Sequence, residues 1–242
     1  EGDAILEQAG IDVEPQYSEE AAALYKDFFK AKSEQIPEIT MKVSVSLDGK
    51  QATDLGQSKW ITNSEVKQDV YHLRHTHDAV LTGNGTINAD NPLYTTRIPN
   101  GKNPIRIVLS KSGNVDFTKQ LFQDSSSEVW IYTENQTLES PNRNIKVVCI
   151  DKCDLKDILT DIYKRGIGSL LIEAGPRITS KFLQTDFINQ LIIYYAPKII
   201  GGSGKNQFFQ TADTIDLNET TQFEISSTEL INQNLKMILR KK

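Results

Sequence analysis

Cysteine is scarce. The two in 242 residues, Cys149 and Cys153, are too few for a disulfide framework and lack the paired spacing of a structural zinc site. A reducing, cytoplasmic setting is expected. Long apolar runs are also missing: the longest strongly apolar stretch, Leu191-Ile192-Ile193-Tyr194-Tyr195-Ala196, falls far short of the roughly 20 residues of a membrane helix. Excess positive charge is absent too, because 27 basic and 32 acidic side chains leave −5, the wrong sign for a nucleic-acid binder. No basic stretch followed by an apolar core opens the chain, so no signal peptide is expected, and a start on Glu1 rather than Met is that of a fragment. What is present is an apolar content of 38%, just under the globular norm, enough to argue against disorder and for a packed body that needs no covalent staples.

Charge is unevenly distributed. Residues 1–35 hold nine acids and three bases, whereas the remainder is nearly balanced, which predicts a boundary near Pro37. In the acidic segment Gly10 is a helix stop, and Ser18 can cap a second helix with Leu24, Phe28 and Phe29 turned inward. So short a piece has little core of its own and reads as a tail. Beyond Pro37, Ile39, Met41, Val43 and Val45 alternate with Thr40, Lys42, Ser44 and Ser46, the period of a strand with one polar face. Asn63 or Ser64 can cap a helix with an apolar stripe of Val66, Val70 and Leu73, beside which Arg74 sits. Further strands are predicted at Ala79–Thr82, Ile105–Leu109, Val129–Tyr132, Val147–Ile150, Leu170–Ile172 and Leu191–Tyr195, with a helix over Leu155–Lys164 stopped by Gly166. Two closing strand-like runs, Phe223–Ser226 and Leu235–Leu239, predict an antiparallel edge on an α/β sheet.

Three glycine-bearing segments are candidates for anion binding. Leu170–Glu173 is an apolar strand running into Ala174-Gly175-Pro176, and Pro176 suits the first turn of a following helix. Amides there, near Arg177, Thr179, Ser180 and Lys181, would seat a phosphate, or the segment is an ordinary strand-to-helix turn. Gly83-Asn84-Gly85-Thr86 also follows a strand, but Asn88 stands where a dinucleotide fingerprint has its third glycine. Gly201-Gly202-Ser203-Gly204-Lys205-Asn206 fails as a P-loop, with Ile199 and Asn206 at two required positions, and is expected to form a flexible rim. His72, His75 and His77 read as a solvated helix surface rather than a metal site.

Taken in order, KVSVSLDGK at 42–50, SKWIT at 58–62, Arg74, GNGTINADNP at 83–92, Arg97, EAGP at 173–176 and APKIIG at 196–201 are similar to the C-terminal reductase domain of the bacterial bifunctional riboflavin-biosynthesis deaminase/reductase. The resemblance runs from about residue 37 to the C-terminus. It implies a dihydrofolate-reductase-like fold, with a mixed, mostly parallel sheet and helices on both faces, and a homodimer or larger homo-oligomer. Residues 1–36 resemble the closing part of the preceding deaminase domain and its linker, with the reductase domain at 37–242. The deaminase motifs HxE and PCxxC are absent, so no zinc and no deamination are expected of this chain.

The activity implied is NADPH-dependent reduction of the ribosyl group of 5-amino-6-(5-phosphoribosylamino)uracil to ribityl. Ser58, Arg74, Tyr94, Arg97 and Glu173 match the family's substrate positions, the two arginines as forks for the phosphate. Ser44, Trp60, Thr86, Asp90, Ser110 and the run Gly175, Pro176, Arg177, Ile178, Thr179, Ser180, Lys181 match its cofactor positions. Trp60 would wall the nicotinamide slot or pack in the core. Lys111 is one candidate for the cofactor's 2′-phosphate. Lys42, Asp90 and Glu173 are the catalytic candidates. A low dielectric is expected to raise the carboxylate pKa values and lower that of lysine, making Asp90 or Glu173 the donor and Lys42 an orienting group. Asp90 before Asn91-Pro92, and Asp48 in its own loop, also have turn-forming readings. Two alternative functions compete: a related heterocycle (dihydrofolate-like) reductase and a non-catalytic nucleotide-binding module.

Overall fold

A computed structural model of the chain describes residues 2–14, 16, 18–58, 61–210, 216, 218 and 220–241. It falls into two compact units, 1–34 and 35–242. In the first, helix α1 (Gly2–Gln8) buries none of its residues and unwinds at Gly10, whose φ of 78° is a left-handed stop. Helix α2 (Glu19–Glu34) follows. Phe29, expected to face inward, is instead 61% exposed and meets Tyr25 one turn earlier, with 6.1 Å between ring centroids. Thirty-four residues do not supply the apolar area to bury it. The side chains of Leu24 and Phe28 lie outside the described set.

The second unit opens with strand β1 (Glu38–Ser46) and helix α3 (Ser64–Thr76). Asn63 is the cap of α3, its side-chain oxygen accepting from the Val66 amide at 3.0 Å. Then come β2 (Ala79–Gly83), α4 (Asn84–Asp90), β3 (Ile105–Leu109), α5 (Gln120–Gln123), β4 (Val129–Thr133) and β5 (Ile145–Cys149). Helix α6 (Leu155–Lys164) is capped by Asp154 and followed by Gly166 at φ 92°. The chain closes with β6 (Ser169–Ile172), α7 (Pro176–Leu183), β7 (Gln190–Ala196) and the hairpin β8 (Phe223–Ile231) and β9 (Asn234–Lys241). Asn232 and Gln233, both at positive φ, make its two-residue turn.

These strands form one sheet in the order β5-β4-β3-β2-β6-β1-β7-β9-β8. Pairing is parallel from β5 to β7 and antiparallel at β7–β9 and β9–β8. The expected mixed sheet, mostly parallel with an antiparallel edge, is the one observed. Alternation along β1 sends Ile39, Met41, Val43 and Val45 to one face, where they pack with Ile158, Leu159 and Ile162 of α6 and Phe182 and Leu183 of α7. Val80, Val108 and Ile131 on the opposite face meet Ile87 of α4 and Leu121 and Phe122 of α5. On that face too, Val66 and Val70 of α3 cover Ile192 and Tyr194 of β7. Helices therefore lie on both faces.

Two departures from the expected pattern concern the site. Gly83-Asn84-Gly85-Thr86, expected as a strand followed by a glycine turn, instead runs into a seven-residue helix, α4. Asn and Gly are weak helix formers, but burial of Ile87 in the core outweighs that preference. The Gly201–Asn206 loop, expected as a flexible rim, is tied down. Asp48 accepts from the amides of Ile200 and Gly201, Asp54 accepts from the Ser203 amide at 2.7 Å, and the buried Lys50 ammonium donates to the Lys205 carbonyl at 3.0 Å.

Candidate active site

The carboxyl ends of β1, β2, β3 and β6 open into a cleft of about 1510 Å³, the place where parallel α/β sheets bind ligands. A single drug-sized ligand occupies roughly 300–1,000 Å³, so this cleft has room for two. Lys42 and Ser44 enter it from the polar face of β1, and Glu173 enters from the end of β6.

Glu173, 8% exposed, is the hub. Its carboxylate accepts from Arg74 Nε at 2.6 Å and Arg74 Nη2 at 3.0 Å, a bidentate fork. Lys42 Nζ stands 3.8 Å from its second oxygen. Burial by itself would raise the Glu173 pKa, yet the Arg74 charge and its hydrogen bonds, followed by the Lys42 charge, hold it below the ordinary carboxylate value. Glu173 is thus an anion, and the expectation of a raised carboxylate fails here because two cations share its pocket. Burial lowers the Lys42 pKa, the nearby Arg74 charge adds to that, and Glu173 offsets part of it. The expected direction for lysine holds.

Arg74 is more committed than the sequence implied. Besides its fork to Glu173, Nη1 donates to the Thr95 carbonyl at 3.1 Å, and the guanidinium lies over the Tyr94 ring at 5.2 Å. Tyr94 is buried at φ 56°, shares a 2.9 Å hydrogen bond with the Thr82 hydroxyl and donates to the Glu173 carbonyl at 3.1 Å. Its hydroxyl is therefore fully occupied in holding Glu173 and Arg74. Burial raises its pKa first of all, and the Glu173 charge adds to this. Arg97 is exposed, with Nη1 donating to the Tyr71 hydroxyl at 3.1 Å. Ser58 donates to Asp90 at 2.6 Å, joining a substrate candidate to a catalytic one at the end of α4.

The start of α7 lines the other part of the cleft, with Gly175, Pro176, Arg177, Ile178 and Lys181 on its wall. The end of β2 faces this turn: a Cβ at Gly83 would sit 2.6 Å from the terminal Cδ1 of Ile178. Thr86 accepts from the Gly175 amide at 3.2 Å. The Ser110 hydroxyl and the Asn84 side-chain oxygen are buried without hydrogen-bond partners, on residues that line the cleft, the condition of groups awaiting a polar ligand. Thr179 and Ser180 do not line it. Both are buried and bonded to the 208–210 backbone, Thr179 donating to the Phe208 carbonyl and Ser180 accepting from the Gln210 amide. Lys111 is exposed and paired with Glu134 at 3.4 Å. Trp60 lies outside the described residues. Among the described residues no group of three His, Cys, Asp or Glu side chains is placed to hold a metal, and no helix is long and apolar enough to cross a membrane. His75 accepts from the Lys102 amide, and His77 bonds the Leu73 carbonyl.

Among the cleft residues absent from the candidates drawn from sequence are Lys67 and Tyr71. They stand seven and three positions before Arg74, so a helical-face count from Arg74 would have found them.

The sheet and cleft define an α/β protein with a mixed, mostly parallel sheet and a cationic and carboxylate end beside a helix start. The chain belongs to the RibD C-terminal domain family, whose model matches residues 37–236. The riboflavin biosynthesis protein RibD of Buchnera aphidicola is 33% identical over 245 residues, covering 93% of this chain and 65% of its own length. A Thermotoga maritima structure described as a diaminohydroxyphosphoribosylaminopyrimidine deaminase/5-amino-6-(5-phosphoribosylamino)uracil reductase superposes with a TM-score of 0.88 at 29% identity, covering all of this chain and 67% of that one. Acinetobacter baumannii RibD gives 0.86 at 31% identity, covering 100% and 68%. The chain thus spans about two thirds of the length of these relatives.

Proposed function

We propose that residues 37–242 form an NADPH-dependent reductase that converts the ribosyl group of 5-amino-6-(5-phosphoribosylamino)uracil to ribityl, and that residues 1–36 are the closing part of a deaminase domain. Family membership supports the reaction class. The observation that carries the assignment to this cleft is the Lys42–Glu173–Arg74 cluster beside the α7 start, in a space wide enough for cofactor and substrate together.

NADPH fits the residues present: the buried Ser110 hydroxyl and Asn84 side-chain oxygen, on residues that line the cleft, lack hydrogen-bond partners. Ser44, Thr86, Asp90, Ser110 and the α7 start would hold it, Thr179 and Ser180 acting only through the loop they anchor. When bound, NADPH supplies the hydride that the sugar carbon C1′ accepts. The chain's own part is to orient the ribotide and move a proton. Opening of the ribosyl ring leaves an imine or its equivalent, and the nitrogen or oxygen that gains charge as C1′ is reduced needs a proton. Lys42 is the group to give it, as an ammonium whose proton burial has loosened. Glu173 stays ionised, holding Lys42 and Arg74 in place. The enzyme acts as a homodimer or larger homo-oligomer in the cytoplasm.

Mixing the folded protein with NADPH and the deaminated ribotide should oxidise the cofactor, read as loss of absorbance, with dihydrofolate inert as the alternative oxidant. Absence of turnover from folded protein refutes the assignment, and preference for dihydrofolate replaces it with the heterocycle reductase. Lys42→Met should lower kcat by about 10²–10⁴ while cofactor binding persists.

A further inference from the structure

Arg97 poses a physical question that the catalytic cluster does not answer. It is an exposed cation at a left-handed backbone position (φ 52°) and stands in the same cleft as Arg74 and Lys67. Like charges repel, and a long exposed side chain costs entropy to hold still. Tyr71 addresses both. Its hydroxyl accepts from Arg97 Nη1 at 3.1 Å, and its ring lies 5.4 Å from the Arg97 guanidinium and 5.7 Å from that of Arg74. One neutral ring, electron-rich on its face, thereby attracts both cations and favours keeping them together without an anion between them.

Helix α3 puts a third charge in the same place. Lys67 lies one turn before Tyr71, lines the cleft, and has its pKa lowered by burial and by the charge of Arg97. Arg74, by contrast, uses three of its five N–H groups on Glu173 and on the Thr95 carbonyl. Arg97, with Lys67 in the same cleft, therefore carries more of the attraction for a ligand's anionic group than the Arg74 fork does.

We propose that Tyr71 is a positioning residue of the anion pocket, its ring and hydroxyl fixing Arg97 beside Arg74 so that these two and Lys67 converge on the phosphate monoester of the substrate. The inference rests on the reading that a sugar phosphate occupies this end of the cleft. Tyr71→Phe keeps the ring and removes the hydroxyl. Tyr71→Leu removes both.

Calorimetric titration with ribose 5-phosphate needs no turnover and tests the inference directly. Tyr71→Phe should weaken binding about tenfold, the scale of one hydrogen bond to a charged group, with Tyr71→Leu weaker again. In steady-state assays KM for the ribotide should rise more than kcat falls, and the advantage of the ribotide over its dephosphorylated analogue should narrow. A merely structural role would instead depress kcat for both substrates alike. Ribose 5-phosphate binding within twofold of wild type in Tyr71→Phe, or none in wild type, overturns the inference. If Tyr71 governs ribose 5-phosphate binding but the wild-type protein reduces no ribotide, the functional reading fails and the role of Tyr71 stands. Turnover by wild type with unaltered binding in both variants does the reverse: the functional reading stands and the role of Tyr71 falls.

Discussion

At Glu173 a buried carboxylate meets two cations, and its worth depends on pH. Its pKa lies below 4.5 in the folded protein, so the folded state binds fewer protons there than the unfolded chain. The stabilisation is fully present above pH 4.5 and lost as pH falls through the folded value. Glu173→Gln should flatten the acid limb of the melting temperature against pH. At pH 7 it should cost about 3 kcal/mol, because Arg74 and Lys42 are left buried without their counter-charge. Thermal melts from pH 3 to 7 check both. Tyr94→Phe should cost about 1.5 kcal/mol, a fall of about 3–6 °C. It strands the buried Thr82 hydroxyl and the Glu173 carbonyl while leaving the ring over Arg74. Differential scanning calorimetry reads that loss. Individual positions such as Lys42 and Glu173 were legible in the sequence from strand alternation and motif order. The ionisation of Glu173 was not, since it depends on Arg74, 99 residues away in the chain.

Among the elements, α7 shows how a contact across the sheet's end sets a binding surface. Its first turn lies against Gly83, where an added Cβ would meet the terminal Cδ1 of Ile178 at 2.6 Å and no backbone atom. Gly83→Ala should cost no more than about 1 kcal/mol, because the terminal Cδ1 of Ile178 can turn aside, and should weaken NADPH binding only slightly. Adding Ile178→Val, which removes the clashing Cδ1, should restore much of both, and a double-mutant cycle by calorimetry and fluorescence titration measures the coupling. The end of α6 and the start of α7 were readable from Gly166 and Pro176, whose chemistry is local. Helix α4 was not readable, because its Asn and Gly residues favour a turn and only the burial of Ile87 makes it a helix. The 47–57 loop and the 198–206 segment look independent in sequence, yet Asp48, Lys50 and Asp54 bind them together. Partners about 150 residues apart leave no local signal.

The molecule as a whole divides near residue 34, and the hydrophobic clusters lie beyond that point, α1 burying nothing. A chain beginning at Gln35 keeps the whole nine-stranded sheet and should therefore unfold in one cooperative transition and oxidise NADPH. Urea titration followed by circular dichroism tests this. The sequence by itself determined the strands, the long helices and the antiparallel edge, because those follow from periodicity and from caps a few residues apart. Only the tertiary structure decided which charges share a pocket, which hydroxyls are already spent, and that Tyr71 stands between two arginines. Those outcomes depend on desolvation and on distances between residues remote in the chain, and both come into existence only when the sheet closes around them.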